Sequence, residues 1–262
     1  MNIPRWIFFI FHVCWRKIIY RTLLSVIFLI FVSASAFSAV LIDFENGVVF
    51  NNYNDVRIPG DGGTKFSLTD EFSSEPRYFF RFRLGLEFLE RHSVSFLVAP
   101  LKYEYRGRSD RNIHFYGKDF PAGTDLRASF MFNSYRLTYR YDFYRTETLI
   151  IGAGLTGKIR EAAITVEGGG QKAERSNVGF VPLVNFRIKW IFYGKFGLVL
   201  DGDALAAPQG RAEDVLFALE HDTFDNISFR VGYRILEGGS GAGSVYTFSM
   251  FSYAAAGVTA RI

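Results

Sequence analysis

The chain has 262 residues, 49% of them apolar and 18% aromatic, which excludes a disordered or fibrous polypeptide and allows one or two domains with a sizeable core. Its formal charge of +4 belongs to a leader: Arg5, Arg16, Lys17 and Arg21 lie in residues 1–36 without an acid, leaving 26 basic against 26 acidic side chains beyond. The basic pI therefore gives no ground for a nucleic-acid partner, and none is expected. The single cysteine, Cys14, is also in the leader, so the rest of the chain has no disulfide, thiolate metal site or cysteine nucleophile.

In chain order, the basic residues of the leader precede an apolar run, residues 23–32 (LLSVIFLIFV), closed by Ser33, Ala34, Ser35 and Ala36. This is the layout of a secretory signal peptide with an A-x-A cleavage site at Ala34 and Ala36. The run is about half the roughly twenty residues that a spanning helix needs. Residues 1–36 are expected to be a signal peptide and 37–262 the mature domain.

Beyond residue 37 the apolar residues are spaced in period two rather than gathered into a membrane-length run. Phe80, Phe82, Leu84, Leu86 and Phe88 fall on one face of a strand, with Arg81, Arg83, Gly85 and Glu87 on the other. The same alternation recurs at Leu149, Ile151, Ala153, Leu155 and Ile159, at Phe196, Leu198 and Leu200, and from Ile227 to Ile235. Around Asn133 the apolar phase flips, from Phe130 and Phe132 to Tyr135, Leu137, Tyr139 and Tyr141, which marks a bulge or a change of environment.

Short turns near residues 90, 145, 194 and 224 alternate with longer polar, glycine-rich segments at 52–76, 106–124, 161–177, 207–213 and 237–244. Ten strands fit between them, at 40–51, 77–89, 92–106, 125–142, 147–160, 178–191, 195–206, 214–221, 226–236 and 245–262, the eighth being the weakest and eight strands the alternative total. The expected fold is all-β: an up-and-down antiparallel transmembrane β-barrel with short turns at one end and long loops at the other. A barrel holding all the apolar faces inside would enclose a large void, whereas a lumen of salt-bridged charges beside glycine can be filled. The apolar face is therefore expected to point into lipid, with Phe88, Tyr141, Phe143, Trp190, Phe192, Phe196 and Phe229 as one aromatic girdle.

Residues 40–262 resemble bacterial outer-membrane β-barrel proteins. The terminus 253–262 (YAAAGVTARI) is similar to that family's assembly signal in the spacing of Gly257, Ala260 and Ile262, and departs from it in ending on isoleucine and in placing Ala255 where a polar residue is common. The resemblance implies the cell outer membrane, with outer-membrane lipid and the barrel-assembly machinery as partners.

The expected inward charges are Arg81, Arg83, Arg136, Arg140, Lys158, Arg160, Arg187, Lys189, Arg230 and Arg234, facing Asp43, Glu45, Glu87, Asp142, Asp201 and Asp203. They are expected to form a salt-bridged plug, giving a structural or loop-binding protein. Their basic excess leaves a narrow channel for small anionic solutes as an alternative. Residues 152–158 (GAGLTGK) imitate a phosphate loop, but Ile159 replaces the required Ser or Thr and the strand pattern continues, so no nucleotide is expected.

Asp201 and Asp203, with His221 and Asp222, are similar to the acid pairs plus histidine of omptin-like outer-membrane proteases, but at heights in the barrel that do not suit them. His114, with Ser109, Asp110 and Asp119, is the histidine placed for an outer-leaflet lipid-modifying enzyme, and His92 belongs to an inner turn. No catalytic set, cofactor or metal site is assigned, since no histidine pair has ligand spacing.

Overall fold

The computed structural model describes residues 37–241 and 243–262, and every regular element among them is a strand. The expected leader lies outside the described residues. The elements are β1 (Phe37–Arg57), the short β2 (Phe66–Ser67) and β3 (Phe72–Ser73), β4 (Arg77–Phe88), β5 (His92–Ala99) and β6 (Lys102–Arg108). A hairpin of β7 (Ile113–Phe115) and β8 (Lys118–Phe120) follows, then β9 (Asp125–Arg145), β10 (Leu149–Gly168), β11 (Gln171–Tyr193), β12 (Phe196–Ala207), β13 (Gly210–Phe224), β14 (Ile227–Ser240) and β15 (Tyr246–Arg261).

Ten wall positions close into an antiparallel barrel. β1 pairs with β15 on one side and β4 on the other, and β9 joins β10 to the β5–β6 position. β5 and β6 share one position, interrupted at Pro100, which cannot donate to the ladder. Ten strands, not eight, form the wall, and 214–221 lies inside the fully paired β13.

Three expected loops are in good part strand. Segment 161–177 continues β10 to Gly168 and starts β11 at Gln171, joined by Gly169 and Gly170, both at positive φ. In 207–213 only residues 208–209 are turn, between β12 and β13, and the first half of 237–244, to Ser240, belongs to β14. These stretches look polar because their outward faces are wet. Thr165 and Glu167 point out while Ile164 and Val166 point in and are buried.

The phase flip at Asn133 is a change of environment, not a bulge. β9 keeps one register with β10 through Asn133 and Glu161, and even-numbered residues face inward on both sides of it. Inward residues are Leu126, Ala128 and Phe130 above, then Ser134, Arg136 and Arg140 below. One continuous pleat thus passes from a wet exterior with an apolar interior to an oily exterior with a charged interior. Exposed Phe82, Leu84, Leu137, Leu155, Phe217 and Val231 form the oily belt, which only hydrocarbon can cover without loss. At its short-turn end Tyr141, Phe143, Trp190, Phe192, Phe196 and Phe229 are exposed as expected, joined by Tyr144, Tyr193 and Phe224.

The loop end carries a second, apolar core. The connections 58–76 and 109–124 fold onto each other, burying Phe66, Leu68, Phe72, Ile113, Phe115 and Phe120. Phe66 and Phe115 meet edge to face at 6.0 Å. The Thr64 amide donates to the His114 carbonyl at 3.0 Å, and Arg111 pairs with Glu71 at 2.7 Å. The long loops are therefore a folded cap rather than free arms.

Candidate functional site: a charged plug beneath a vestibule

Inward side chains of the membrane section meet in a continuous ion-pair network. Asp214, on β13, accepts from Arg81 at 2.9 Å and from Arg136 and Arg234 at 2.5 Å each. Glu45 accepts from Arg234 at 2.7 Å and Arg230 at 3.1 Å, and Arg81 approaches it to 3.7 Å. Asp203 accepts from Arg136 at 2.8 Å, from Thr156 at 2.6 Å and from Asn185 at 2.9 Å. Lower down, Asp201 gathers Arg140 at 3.4 Å, Arg83 at 3.6 Å and Arg187 at 3.8 Å. Arg230 also holds Asp43. At the short-turn end Lys189 pairs with Glu220 at 2.7 Å and Asp222 at 2.8 Å, and Glu87 pairs with Arg261 at 3.2 Å.

Glu45, Asp201 and Asp214 are each shared among three guanidinium groups, while Asp203 takes Arg136 and Glu220 takes Lys189, the pairing that offsets desolvation in a low-dielectric interior. Glycine makes room for it. A Cβ on Gly257 would stand 2.7 Å from Arg230 Cζ, and one on Gly152 would stand 2.3 Å from an Asp142 carboxylate oxygen. The phosphate-loop imitation at 152–158 is thus strand β10, with its first glycine clearing space for the Arg140–Asp142 pair at 3.4 Å. A cavity of about 20 Å³ lined by Arg81, Arg83, Arg187, Asp201 and Arg234 is left within the network, little more than one water.

Of the residues expected in the lumen, Arg81, Arg83, Arg136, Arg140, Arg187, Lys189, Asp201, Asp203, Arg230 and Arg234 join this plug, and Glu87 lies at its lower mouth. Arg160 stands above it, hydrogen-bonded to Asn177 at 2.6 Å. Asp214 and Glu220 are the members that sequence reasoning missed, although Asp214, Leu216, Ala218 and Glu220 are four successive inward positions of β13 and all are buried. Their two charges shrink the expected basic excess.

The histidines stand apart. His221 is at the short-turn end, packed on Phe196 at 4.4 Å and bonded to Thr223 at 2.9 Å. Asp201 and Asp203 are committed to the plug, so the omptin-like set is not assembled. His92 stacks between Phe88 and Tyr141 in the girdle, with Tyr139 hydroxyl at 2.8 Å. His114 meets Asp119 at 2.7 Å on the β7–β8 hairpin, while Ser109 donates to Glu71 at 3.3 Å instead.

Between plug and cap lies a vestibule of about 610 Å³. Phe130, Phe132, Ile164, Leu236 and Phe251 supply apolar wall, and Lys158 and Arg160 lie beside the plug. At its rim, above the oily belt, Arg211 donates to Glu237 at 2.7 Å, and Tyr53 donates to the same carboxylate. Burial and that hydrogen bond push the Tyr53 hydroxyl up to about 12.

The barrel is similar to the outer membrane protease OmpT from Escherichia coli, with a TM-score of 0.59 at 8% identity, covering 87% of this chain and 98% of that one. Ail, the attachment invasion locus protein of Yersinia pestis, is 12% identical with a TM-score of 0.40, covering 85% and 99%. Neisserial surface protein A is 12% identical with a TM-score of 0.31, covering 85% and 97%. No protein-family model and no curated protein matches the chain. At these identities the likeness is one of fold, and the fold is that of the bacterial outer-membrane β-barrels.

Proposed function

We propose that this protein is an outer-membrane barrel closed to solutes, which acts at the outer face through its capped vestibule rather than by conduction. Outer-membrane lipid around the belt and the barrel-assembly machinery, engaged through residues 253–262, are its proposed partners. The observation that carries the reading is the plug: a cross-section of paired charges holding a cavity of about 20 Å³ leaves no path for a hydrated ion. The anion-channel alternative needs unpaired lumen arginines, whereas Arg81, Arg136, Arg230 and Arg234 are each bound by a carboxylate. Proteolysis, the activity that OmpT's name carries, finds no support in Asp201 and Asp203, which arginines occupy.

The purified protein inserted into planar bilayers is expected to give no discrete current. A stable conductance whose ion preference changes in Arg83→Gln would contradict the reading.

A further inference from the structure

The wall of the barrel is not equally paired all round. β11 has 23 residues and its neighbour β12 has 12. Their ladder runs only from the Tyr193–Phe196 pair to the Val184–Ala204 pair. Above it, residues 171–183 of β11 remain bonded to β10 but not to β12, because β12 turns back into β13 at residues 208–209. Pro182, which has no N–H to donate, sits in this free edge, where strand prolines are tolerated.

Both sides of the break line the vestibule: Phe180, Val181 and Pro182 on β11, Leu205 and Ala207 on β12. Outside, the part of this edge next to the belt is apolar, with Val178 68% and Phe180 66% exposed. The break thus lies between the vestibule and the top of the oily belt, with residues of both strands lining the vestibule.

What the vestibule holds is set by charge. Lys158 is 3% exposed and lies 4.7 Å over the Phe132 ring. Arg160 binds a neutral amide, Asn177, and its buried Nε has no partner. Among the described residues neither cation has a carboxylate within ion-pair distance, in contrast to the arginines of the plug just below. One buried and one half-buried cation without a carboxylate partner, under walls of phenylalanine and leucine, are complementary to an acid attached to a hydrocarbon chain. The volume of about 610 Å³ suits one small amphiphile.

We propose that the vestibule binds a single-chain anionic amphiphile of the fatty-acid class, which passes sideways from the outer leaflet between β11 and β12. Its acid is held by Lys158 and Arg160, and its chain lies against Phe130, Phe132, Ile164 and Phe251. This deepens the closed-barrel reading and rests on its capped vestibule.

The test uses doxyl-labelled stearate and the full chain in lipid nanodiscs. A saturable, immobilised spectral component is expected, displaced by unlabelled stearate and not by stearyl alcohol or by two-chain phosphatidylglycerol. Lys158→Ala with Arg160→Ala should weaken stearate binding about tenfold or more, the scale of lost charged hydrogen bonds, in protein whose barrel is shown to be folded by its migration without heating. Displacement by the alcohol equal to that by stearate, or binding unchanged in the double variant, overturns the assignment of the acid site. Displacement by phosphatidylglycerol assigns the pocket to membrane phospholipid and overturns the single-chain assignment.

For the route, Val181→Cys and Ala207→Cys are bridged by a bismaleimide in a Cys14→Ser background. Bridging should slow loading from the bilayer relative to the unbridged variant, and equal loading rates overturn the sideways path. Absence of stearate binding alongside a silent planar bilayer rejects this proposal alone, whereas a wild-type conductance rejects the closed-barrel reading.

Discussion

Replacing Asp214 with asparagine is expected to destabilise the barrel by about 3–5 kcal/mol, the loss typical when one partner of a buried ion pair is removed. The reason is positional. Asp214 is the one acid that Arg81, Arg136 and Arg234 all touch, at 2.9, 2.5 and 2.5 Å. Without its charge three guanidinium groups face one another with only Glu45 and Asp203 to share between them. Asp125→Asn, which removes the exposed partner of Arg108, provides the comparison and should change stability by about 1 kcal/mol or less. Urea unfolding in detergent or liposomes measures both. Equal, small effects would mean that water, not protein, fills the lumen.

The second large effect concerns two positions six residues apart on the same outward face of β9. Leu137→Arg, in the oily belt, should lose about 2–4 kcal/mol if it lies near the bilayer midplane, seen as a lower urea midpoint of the liposome-inserted barrel. Met131→Arg, above the change at Asn133, should be near neutral. A soluble barrel would show no such contrast, since both side chains face outward and an arginine in water is tolerated at either.

These contrasts show how much of the fold is written in local pattern. Within the membrane section period-two alternation locates the wall strands, because there each face of a strand meets one environment, and the charged set from Arg81 to Arg234 follows from the same alternation. The upper halves of β10 and β11 were illegible for a related reason. There the outer face meets water, so Thr165, Glu167 and Glu174 make a strand resemble a loop, while Ile164, Val166 and Ala173 mark its inner face. Glu220 was hidden by its neighbours His221 and Asp222, which suggest a turn. The break between β11 and β12 depends on two strand lengths compared across a turn, and Pro182 is its only local sign. That Lys158 and Arg160 have no carboxylate partner among the described residues depends on which side chains reach across the lumen, which no spacing in the chain encodes.

One unbroken pleat exchanges its solvents at Asn133. A nitroxide scan along β9 in liposomes measures this directly, with single cysteines at Arg127, Ser129, Met131, Tyr135, Leu137 and Tyr139 in a Cys14→Ser background. Collision with oxygen should overtake collision with a water-soluble nickel chelate between Met131 and Tyr135, the labels at Tyr135, Leu137 and Tyr139 reporting hydrocarbon. Nickel accessibility that stays high through Tyr139 would place the oily face in water and exclude the exchange of solvents at Asn133.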